Sequence, residues 1–226
     1  MAESELAVWA AEIAAKPYGE KIYSSSLFLV ENLLFRRLDV RSVGTEHLQA
    51  APPCIIAPVH RSNLDSVVVG ALGRRRLPTL SKESLFKFKP VAWWIAGLGA
   101  IPLDRDAADR EATNAARKIL DSGRPLMIFP EGTRQTGIEI AELYDGTAWI
   151  AAKSKAPIVP VGIAGTSELL PPGAKFPKKG RVGVVARPPI EMPEGRVPRS
   201  KLTEITQELR SSLQIAMKQA HELIED

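Results

Sequence analysis

The sequence predicts an α/β protein with a central, mostly parallel or mixed sheet flanked by helices, an N-terminal helical segment and a long C-terminal helix. From residue 53 onward, short apolar runs alternate with amphipathic stretches, a pattern typical of strands and helices packed in layers. A proline-rich stretch, 188–198, is followed by a long helical pattern. The 226 residues are enough for one large domain with a buried core.

The first 36 residues have helical character. Between Glu20 and Arg37, apolar side chains recur at roughly helical spacing, namely at Ile22, Leu27, Val30, Leu33 and Leu34. The pattern ends on two arginines. A helix of this kind lies in a membrane interface or packs on the rest of the domain, and both interpretations stay open. We assign residues 1–37 to an N-terminal helical segment.

Six apolar runs are predicted strands, and they cover residues 54–59, 77–80, 100–103, 125–129, 158–163 and 182–186. Helices are predicted between them, over residues 64–74, 88–96, 107–121 and 146–155. Because proline has no N–H for a sheet ladder, four prolines are expected at strand ends or in edge strands: Pro58, Pro102, Pro130 and Pro160. Residues 38–190 form the predicted core, and residues 191–226 form a linker and the C-terminal helix.

The composition is that of a globular protein, with 45% hydrophobic and 25% charged residues. The longest nearly uncharged stretch, 91–103, is shorter than the roughly 20 apolar residues that cross a bilayer. The chain begins MAESE, which is acidic where a signal peptide is basic, so we expect a cytoplasmic protein. The single cysteine, Cys54, stands in an apolar run and is predicted to be a buried core residue rather than a catalytic thiol.

The charge balance is basic, with a formal net charge of +4 and a pI of about 9.2. Basic residues cluster at 74–76, 82–89 and 175–181. This balance suits anionic partners, and charge alone leaves nucleic acid, anionic lipid and coenzyme phosphates open. An ordinary solvated surface is the simpler explanation for any single cluster.

One of the three histidines has a chemical neighbourhood in the sequence. His60 follows the strand predicted at 54–59, and Asp65 lies in the first turn of the next predicted helix. If the chain folds back there, the carboxylate meets one imidazole nitrogen and leaves the other to take a proton. The spacing Ser62-x-x-Asp65 fits a helix-capping box equally well, and this motif alone does not decide between the two.

Two further motifs end on arginine. The run FPEGTR, 129–134, follows a predicted strand, with Gly132 suited to a tight turn and Arg134 to phosphate. A plain strand-ending turn uses the same residue types. Another apolar run ends on Asp104 and Arg105. There Arg105 binds phosphate, or it forms a surface ion pair with Asp104 that contributes little to stability.

The order and spacing of these motifs resemble one family, the glycerolipid acyltransferases of the PlsC (1-acylglycerol-3-phosphate acyltransferase) type. The matching blocks are HRSNLD (60–65), SKESL (81–85), GAIPLDR (99–105), FPEGTR (129–134) and PIVPV (157–161), and the resemblance covers residues 38–190. The chain departs from the family pattern at Val59, Gln135 and Asp145, where Asn, Ser and Lys are frequent. A lysolipid other than lysophosphatidic acid therefore stays open as the acceptor.

The resemblance implies an enzyme that moves a fatty acyl chain from a thioester, acyl-CoA or acyl carrier protein, to a hydroxyl of a lysophospholipid, with 1-acylglycerol-3-phosphate expected first. It implies His60 as general base and Asp65 as its orienting partner. The substrate-binding residues that it implies are Lys82, Arg105, Glu131, Gly132, Thr133 and Arg134. Among these, Lys82, Arg105 and Arg134 would hold the acceptor's phosphate, and Glu131 and Gly132 would shape its pocket.

The expected partners are the acyl donor, the lysophospholipid and the inner face of the cell membrane, with no nucleic acid, cofactor or metal. A serine hydrolase is disfavoured because the chain contains no Gly-x-Ser-x-Gly. A metal hydrolase is disfavoured because only His60 stands near carboxylates in the sequence. The remaining rival is a catalytically inactive lipid- or acyl-CoA-binding protein on the same scaffold.

Overall fold

The computed structural model describes residues 5–49, 53–103 and 109–225. Within these ranges one mixed sheet of seven strands has the order β1-β7-β6-β2-β5-β3-β4. The strands are β1 (Leu38–Val43), β2 (Ile55–Pro58), β3 (Thr79–Lys82), β4 (Ala100–Leu103), β5 (Leu126–Met127), β6 (Ile158–Ala164) and β7 (Gly180–Ala186). The helices are α1 (Glu5–Ala15), α2 (Pro17–Leu29), α3 (Phe35–Arg37), α4 (Leu64–Leu72), α5 (Lys89–Gly97), α6 (Asp109–Asp121), α7 (Gly146–Ser154), α8 (Thr166–Leu169) and α9 (Arg199–Glu225).

Strand direction brings several chain segments to one edge of the sheet. β2 runs parallel to β5 and β6, and β3 runs parallel to β4 and β5. β7 is antiparallel to β6 and parallel to β1. The carboxyl ends of β2 to β6 and the amino ends of β1 and β7 therefore lie together, and we call this side of the sheet the carboxyl edge.

The predicted N-terminal helical character is confirmed, but it passes directly into a strand that the sequence did not predict. α2 continues through a π-helical turn, Val30–Leu34, into α3 and then β1. β1 lies at the sheet edge and pairs with β7 from Leu38↔Gly180 to Val43↔Val185. Its sequence, LDVRSV, contains polar residues because an edge strand is only partly covered.

The six predicted strands are all present, with shifted ends. The largest difference is at 125–129, where the strand spans only Leu126–Met127, and the strand predicted at 77–80 lies at Thr79–Lys82. All the helices predicted after residue 53 are present, although residues 107 and 108 of the helix predicted at 107–121 lie outside the described residues. The short α8 was not predicted.

One of the four proline expectations was wrong. Pro58 ends β2, Pro102 lies in the edge strand β4, and Pro130 follows β5. Pro160 instead lies inside β6, between β2 and β7. Its carbonyl accepts a hydrogen bond from the Arg187 N–H at 2.9 Å. The proline nitrogen points to the same side and has no hydrogen to donate in return, and the continuous β6–β7 ladder ends beside it at Val161↔Ala186.

The main core surrounds the central strands, since all seven residues of β6 are buried. The 27-residue α9 crosses β6 and β7, and its apolar positions Leu202, Ile205, Leu209 and Leu213 are buried. Gly162 and Gly183 permit this close packing, because a Cβ at either would overlap the backbone of Ala216 or Ala220. Among the described residues, no helix combines the length and apolarity that crossing a bilayer requires.

Candidate active site

The turn between β2 and α4 places His60 against Asp65 at the carboxyl edge. The Nδ1 atom of His60 lies 3.1 Å from Oδ2 of Asp65. The Asp65 side chain is fully buried, and that of His60 is 18% exposed. The imidazole also stacks on the Phe129 ring, with 4.0 Å between ring centroids. An ionised Asp65 selects the tautomer with hydrogen on Nδ1, which leaves Nε2 as the proton-accepting nitrogen.

The buried carboxylate of Asp65 receives donors on both oxygens. Oδ2 accepts from the backbone N–H groups of Arg61 at 2.6 Å and Ser62 at 2.7 Å, besides its contact with His60. Oδ1 accepts from the hydroxyl of Thr166 at 2.6 Å. These charge-assisted bonds offset the cost of burying the carboxylate.

The structure combines the two interpretations of the Ser62-x-x-Asp65 spacing. Asp65 reaches back to the Ser62 N–H, as the acidic residue of a capping box does. The reciprocal half of the box is weak: the Ser62 hydroxyl donates to the Leu170 carbonyl at 3.1 Å and accepts a long bond, 3.4 Å, from the Leu64 N–H. One carboxylate thus caps the start of α4 and contacts the imidazole.

A buried ion pair joins the His60 turn to the turn after β5. Nη1 of Arg61 lies 2.7 Å from Oε2 of Glu131, and both side chains are almost fully buried. The remaining guanidinium donors bind the carbonyls of Gly137 and Glu139. Sequence reasoning did not assign a role to Arg61, because nothing in the sequence near it indicates that it is buried or that its partner lies 70 residues away.

The turn containing Glu131 also holds the backbone of His60 from two sides. Oε2 of Glu131 accepts from the His60 N–H at 2.9 Å, and the His60 carbonyl accepts from the Gln135 N–H at 2.8 Å. Gly132 adopts a φ of 69°, which a glycine tolerates. Glu131 therefore has its observed contacts within the protein, and its part in an acceptor pocket stays a prediction.

Four of the other predicted substrate residues are exposed at the same edge of the sheet as this pair. Gly132, Thr133 and Arg134 are exposed in the turn after β5, and the Thr133 hydroxyl accepts from the Gln135 side chain at 3.1 Å. Lys82 is exposed at the carboxyl end of β3, on the same edge of the sheet. Arg105 lies outside the described residues, so the phosphate site predicted from Lys82, Arg105 and Arg134 stays a prediction.

Two other kinds of chemistry concern metal ligands and the single cysteine in the part of the chain that the structure describes. It contains no group of three or more His, Cys, Asp or Glu side chains placed to hold a metal ion. Cys54 is fully buried, as predicted. Burial raises the pKa of the Cys54 thiol, against the opposing effect of the nearby Arg75 guanidinium. Burial thereby favours the protonated thiol, which is the less reactive form.

The fold and the site together define a class of α/β proteins that carry an oriented histidine–aspartate pair at the carboxyl edge of a mixed sheet. Comparison with known proteins gives this class its name. A family model described as Acyltransferase matches residues 39–164, which is more than half of the chain, and the chain belongs to this acyltransferase family. The match begins in β1 and ends with the last residue of β6.

Known relatives support the resemblance stated from the motifs. A 1-acyl-sn-glycerol-3-phosphate acyltransferase of Saccharomyces cerevisiae is 32% identical over 80% of this chain and 61% of its own length. A chloroplast 1-acyl-sn-glycerol-3-phosphate acyltransferase of Brassica napus is 28% identical over 69% of this chain and 46% of its own length. The chain thus spans about half the length of the chloroplast relative and three fifths of the yeast one.

A solved structure has the same fold over nearly the whole chain. The crystal structure of the 1-acyl-sn-glycerophosphate acyltransferase PlsC from Thermotoga maritima matches with a TM-score of 0.69. The match covers 96% of this chain and 93% of the other, at 24% sequence identity. This likeness confirms the predicted fold class.

Proposed function

We propose that the chain is an O-acyltransferase that moves a fatty acyl chain from a thioester to a free hydroxyl of a lysophospholipid. The observation that carries the proposal is the 3.1 Å contact between His60 and the buried Asp65, inside the region that matches the acyltransferase family. The printed names of the relatives make 1-acylglycerol-3-phosphate the first acceptor to test.

In the proposed reaction, Nε2 of His60 takes the proton of the acceptor hydroxyl while the hydroxyl oxygen attacks the thioester carbonyl. The tetrahedral intermediate collapses, the C–S bond breaks, and the imidazolium returns its proton to the departing thiolate. Asp65 holds the imidazole and stabilises its charged form. A thioester is already activated, so a general base and correct positioning suffice without a covalent acyl-enzyme.

We propose that the acceptor's phosphate binds at the carboxyl edge, where Arg134 and Lys82 are exposed. Arg134 follows the turn that holds His60, so an acceptor bound there would lie close to the base. Asp145 does not oppose this, because its carboxylate binds the hydroxyls of Thr203 and Thr206 on α9. The departure at position 145, where the family frequently has a lysine, is therefore compatible with a phosphate-bearing acceptor.

We also propose that the carboxyl edge faces a membrane. Exposed apolar side chains from the α2 region and from α5 lie on neighbouring helices, and they include Phe28, Leu29, Leu33, Phe88, Val91, Trp93 and Trp94. A hydrogen bond of 2.9 Å from the Trp94 indole to the Ser26 hydroxyl joins the two helices. Lys87 and Lys89 are exposed beside them. Apolar and basic side chains together suit an interface with anionic lipid.

A second contact with the membrane is proposed at the loop between α8 and β7. Phe176 is 82% exposed there, between Lys175 on one side and Lys178 and Lys179 on the other. The loop leads into the amino end of β7, and Arg37 at the end of α3 donates to the Pro177 carbonyl at 2.9 Å. It therefore lies at the same edge of the sheet as His60.

The membrane proposal is tested by sedimentation with vesicles of phosphatidylglycerol and phosphatidylcholine. We expect Phe28→Glu and Phe176→Glu each to lower the bound fraction, whereas Tyr144→Glu, also an exposed aromatic, should not. Equal binding of all three variants would contradict the proposed face.

The enzymatic proposal is tested by mass spectrometry of the products formed when the purified chain is offered a panel of lysophospholipids. The donors are acyl-CoAs of varied length and an acyl carrier protein. We expect a diacylated product that carries the donor's acyl chain. Binding of acyl-CoA without any product would instead indicate an inactive binding protein, and release of free fatty acid alone would indicate a hydrolase.

A further inference from the structure

One buried hydroxyl at the site belongs to none of the sequence motifs. Thr166 is fully buried and donates to Oδ1 of Asp65 at 2.6 Å, across 101 residues of chain. We propose that Thr166 is a positioning residue for acyl transfer, which holds the second oxygen of Asp65 and through it fixes the imidazole of His60. This inference rests on the proposed function.

The hydroxyl is presented by a rigid part of the fold. Thr166 is the first residue of α8, and one residue separates it from the fully buried strand β6. Gly165 between them has a φ of 85°, and a Cβ there would overlap the backbone of Arg181. Because Gly165 packs closely on β7, Thr166 next to it offers its hydroxyl to Asp65 from a fixed position.

The two oxygens of Asp65 have different tasks. Oδ2 is shared among His60 and the N–H groups of Arg61 and Ser62, which all belong to the same turn. Oδ1 receives its donor from a different element of the sheet, through Thr166. The bonds to Oδ2 tie the carboxylate only to its own turn, whereas the bond to Oδ1 also ties it to the segment that follows β6.

Loss of the Thr166 hydroxyl would leave Oδ1 without this donor in a site where Asp65 has no solvent exposure. An unsatisfied charged acceptor is costly, so the carboxylate would turn toward other donors or take up a proton. Either change weakens its hold on Nδ1 of His60. The expected consequence is slower proton transfer without weaker substrate binding.

The test compares Thr166→Val, which has nearly the same shape but no hydroxyl, with Thr166→Ser, which keeps it. We expect Thr166→Val to lower kcat by at least about tenfold, in line with a lost hydrogen bond to a charged group. The KM values of donor and acceptor should change by less than about twofold. Thr166→Ser should keep most of the wild-type kcat.

Thr206→Val is the matched control. It removes a comparable bond, 2.7 Å from the Thr206 hydroxyl to Oδ1 of Asp145, between α9 and the residue before α7. We expect it to lower the Tm while leaving kcat near the wild-type value. If Thr166→Val does not fold, Thr166→Ala takes its place, with the same expected loss relative to Thr166→Ser.

A second readout needs no turnover. The ¹⁵N signals of the His60 ring, assigned with a His60→Asn variant, report which nitrogen carries the proton. We expect the Nδ1–H tautomer in the wild type and in Thr166→Ser, and a mixture of tautomers in Thr166→Val. If the wild type transfers acyl groups to none of the acceptors, the proposed function fails, while these signals still decide the effect of Thr166 on His60.

Three outcomes would overturn the inference. The first is a Thr166→Val variant with wild-type kcat and unchanged ring signals. The second is a Thr166→Ser variant as slow as Thr166→Val. The third is a loss of kcat in Thr206→Val equal to that in Thr166→Val. The first would show that the hydroxyl is dispensable. The second would assign the effect to packing of the methyl group, and the third to general destabilisation.

Discussion

At the scale of single residues, the site depends on side chains that each have two tasks. Asp65 caps the start of α4 and contacts His60, and Glu131 binds both the Arg61 guanidinium and the His60 N–H. His60 is thus held through its ring and through its backbone. Substitutions at these positions are expected to affect catalysis and stability to different degrees, because among them only the ring of His60 is proposed to take the proton.

We expect His60→Ala to lower kcat by about 10³-fold or more, because it removes the proposed general base. The backbone bonds of His60 to Glu131 and Gln135 do not need the imidazole, so the far-UV circular dichroism spectrum should not change. His221→Ala, in α9, is the control and should keep activity. A His60→Ala variant with wild-type turnover would exclude the mechanism.

For Arg134→Ala, we expect the KM of the acceptor to rise at least about tenfold, because one charge-assisted contact to phosphate is lost. The KM of the acyl donor should change little. Arg124→Ala, which replaces an exposed arginine preceding β5 at the opposite edge of the sheet, should affect neither value. Initial rates measured against each substrate decide this, and equal increases in both KM values would remove Arg134 from the phosphate site.

The Arg61–Glu131 pair is expected to matter for stability. Glu131→Gln leaves a buried guanidinium without its countercharge, and breaking such a pair costs about 3 kcal/mol. Urea denaturation should show this loss in the free energy of unfolding. Because the pair acts as a unit, the double variant Arg61→Met/Glu131→Gln should lose less stability than the two single variants lose in sum. An additive double variant would contradict this coupling.

At the scale of elements, the packing of α9 on the sheet depends on glycines at the contact. Gly162 lies in β6 against the backbone of Ala216, whereas Gly70 in α4 has open space beside it. Substitution by alanine should therefore have opposite effects on stability at the two positions. One site has no room for a methyl group, and the other is an ordinary helix position.

We expect Gly162→Ala to lower the free energy of unfolding by about 2 kcal/mol, because the added methyl group forces α9 away from β6. Gly70→Ala is the control and should raise it by up to about 1 kcal/mol, because alanine favours the helix. Chemical denaturation of both variants tests the pair of predictions. A neutral Gly162→Ala would show that α9 is less tightly packed than described.

At the scale of the whole molecule, the net charge of +4 should contribute to membrane attachment. Binding to vesicles that contain phosphatidylglycerol is expected to weaken several-fold between about 0.05 and 0.5 M NaCl, because salt screens the exposed lysines. A residual, salt-insensitive part should remain from the apolar side chains. Sedimentation across this range of salt concentration measures the salt-sensitive and the salt-insensitive part of the binding. Binding that increases with salt throughout would contradict the electrostatic contribution.

Much of the molecule was predictable because the signals are local. Helical periodicity predicted α9, apolar runs predicted six of the strands, and a spacing of five residues predicted the contact between His60 and Asp65. Strand ends were less predictable, because they depend on neighbouring strands: β5 spans two residues, although the apolar run around it is longer.

The sequence by itself determined the α/β architecture, the histidine with its carboxylate and the family to which they belong, since each depends on short local patterns or on their order along the chain. Only the tertiary structure decided that β1 joins the sheet, that Arg61 pairs with Glu131 and that Thr166 reaches Asp65. The physical reason is that these contacts join residues 70 to 142 positions apart. Such contacts form only when the sheet order and the buried side of each element are established.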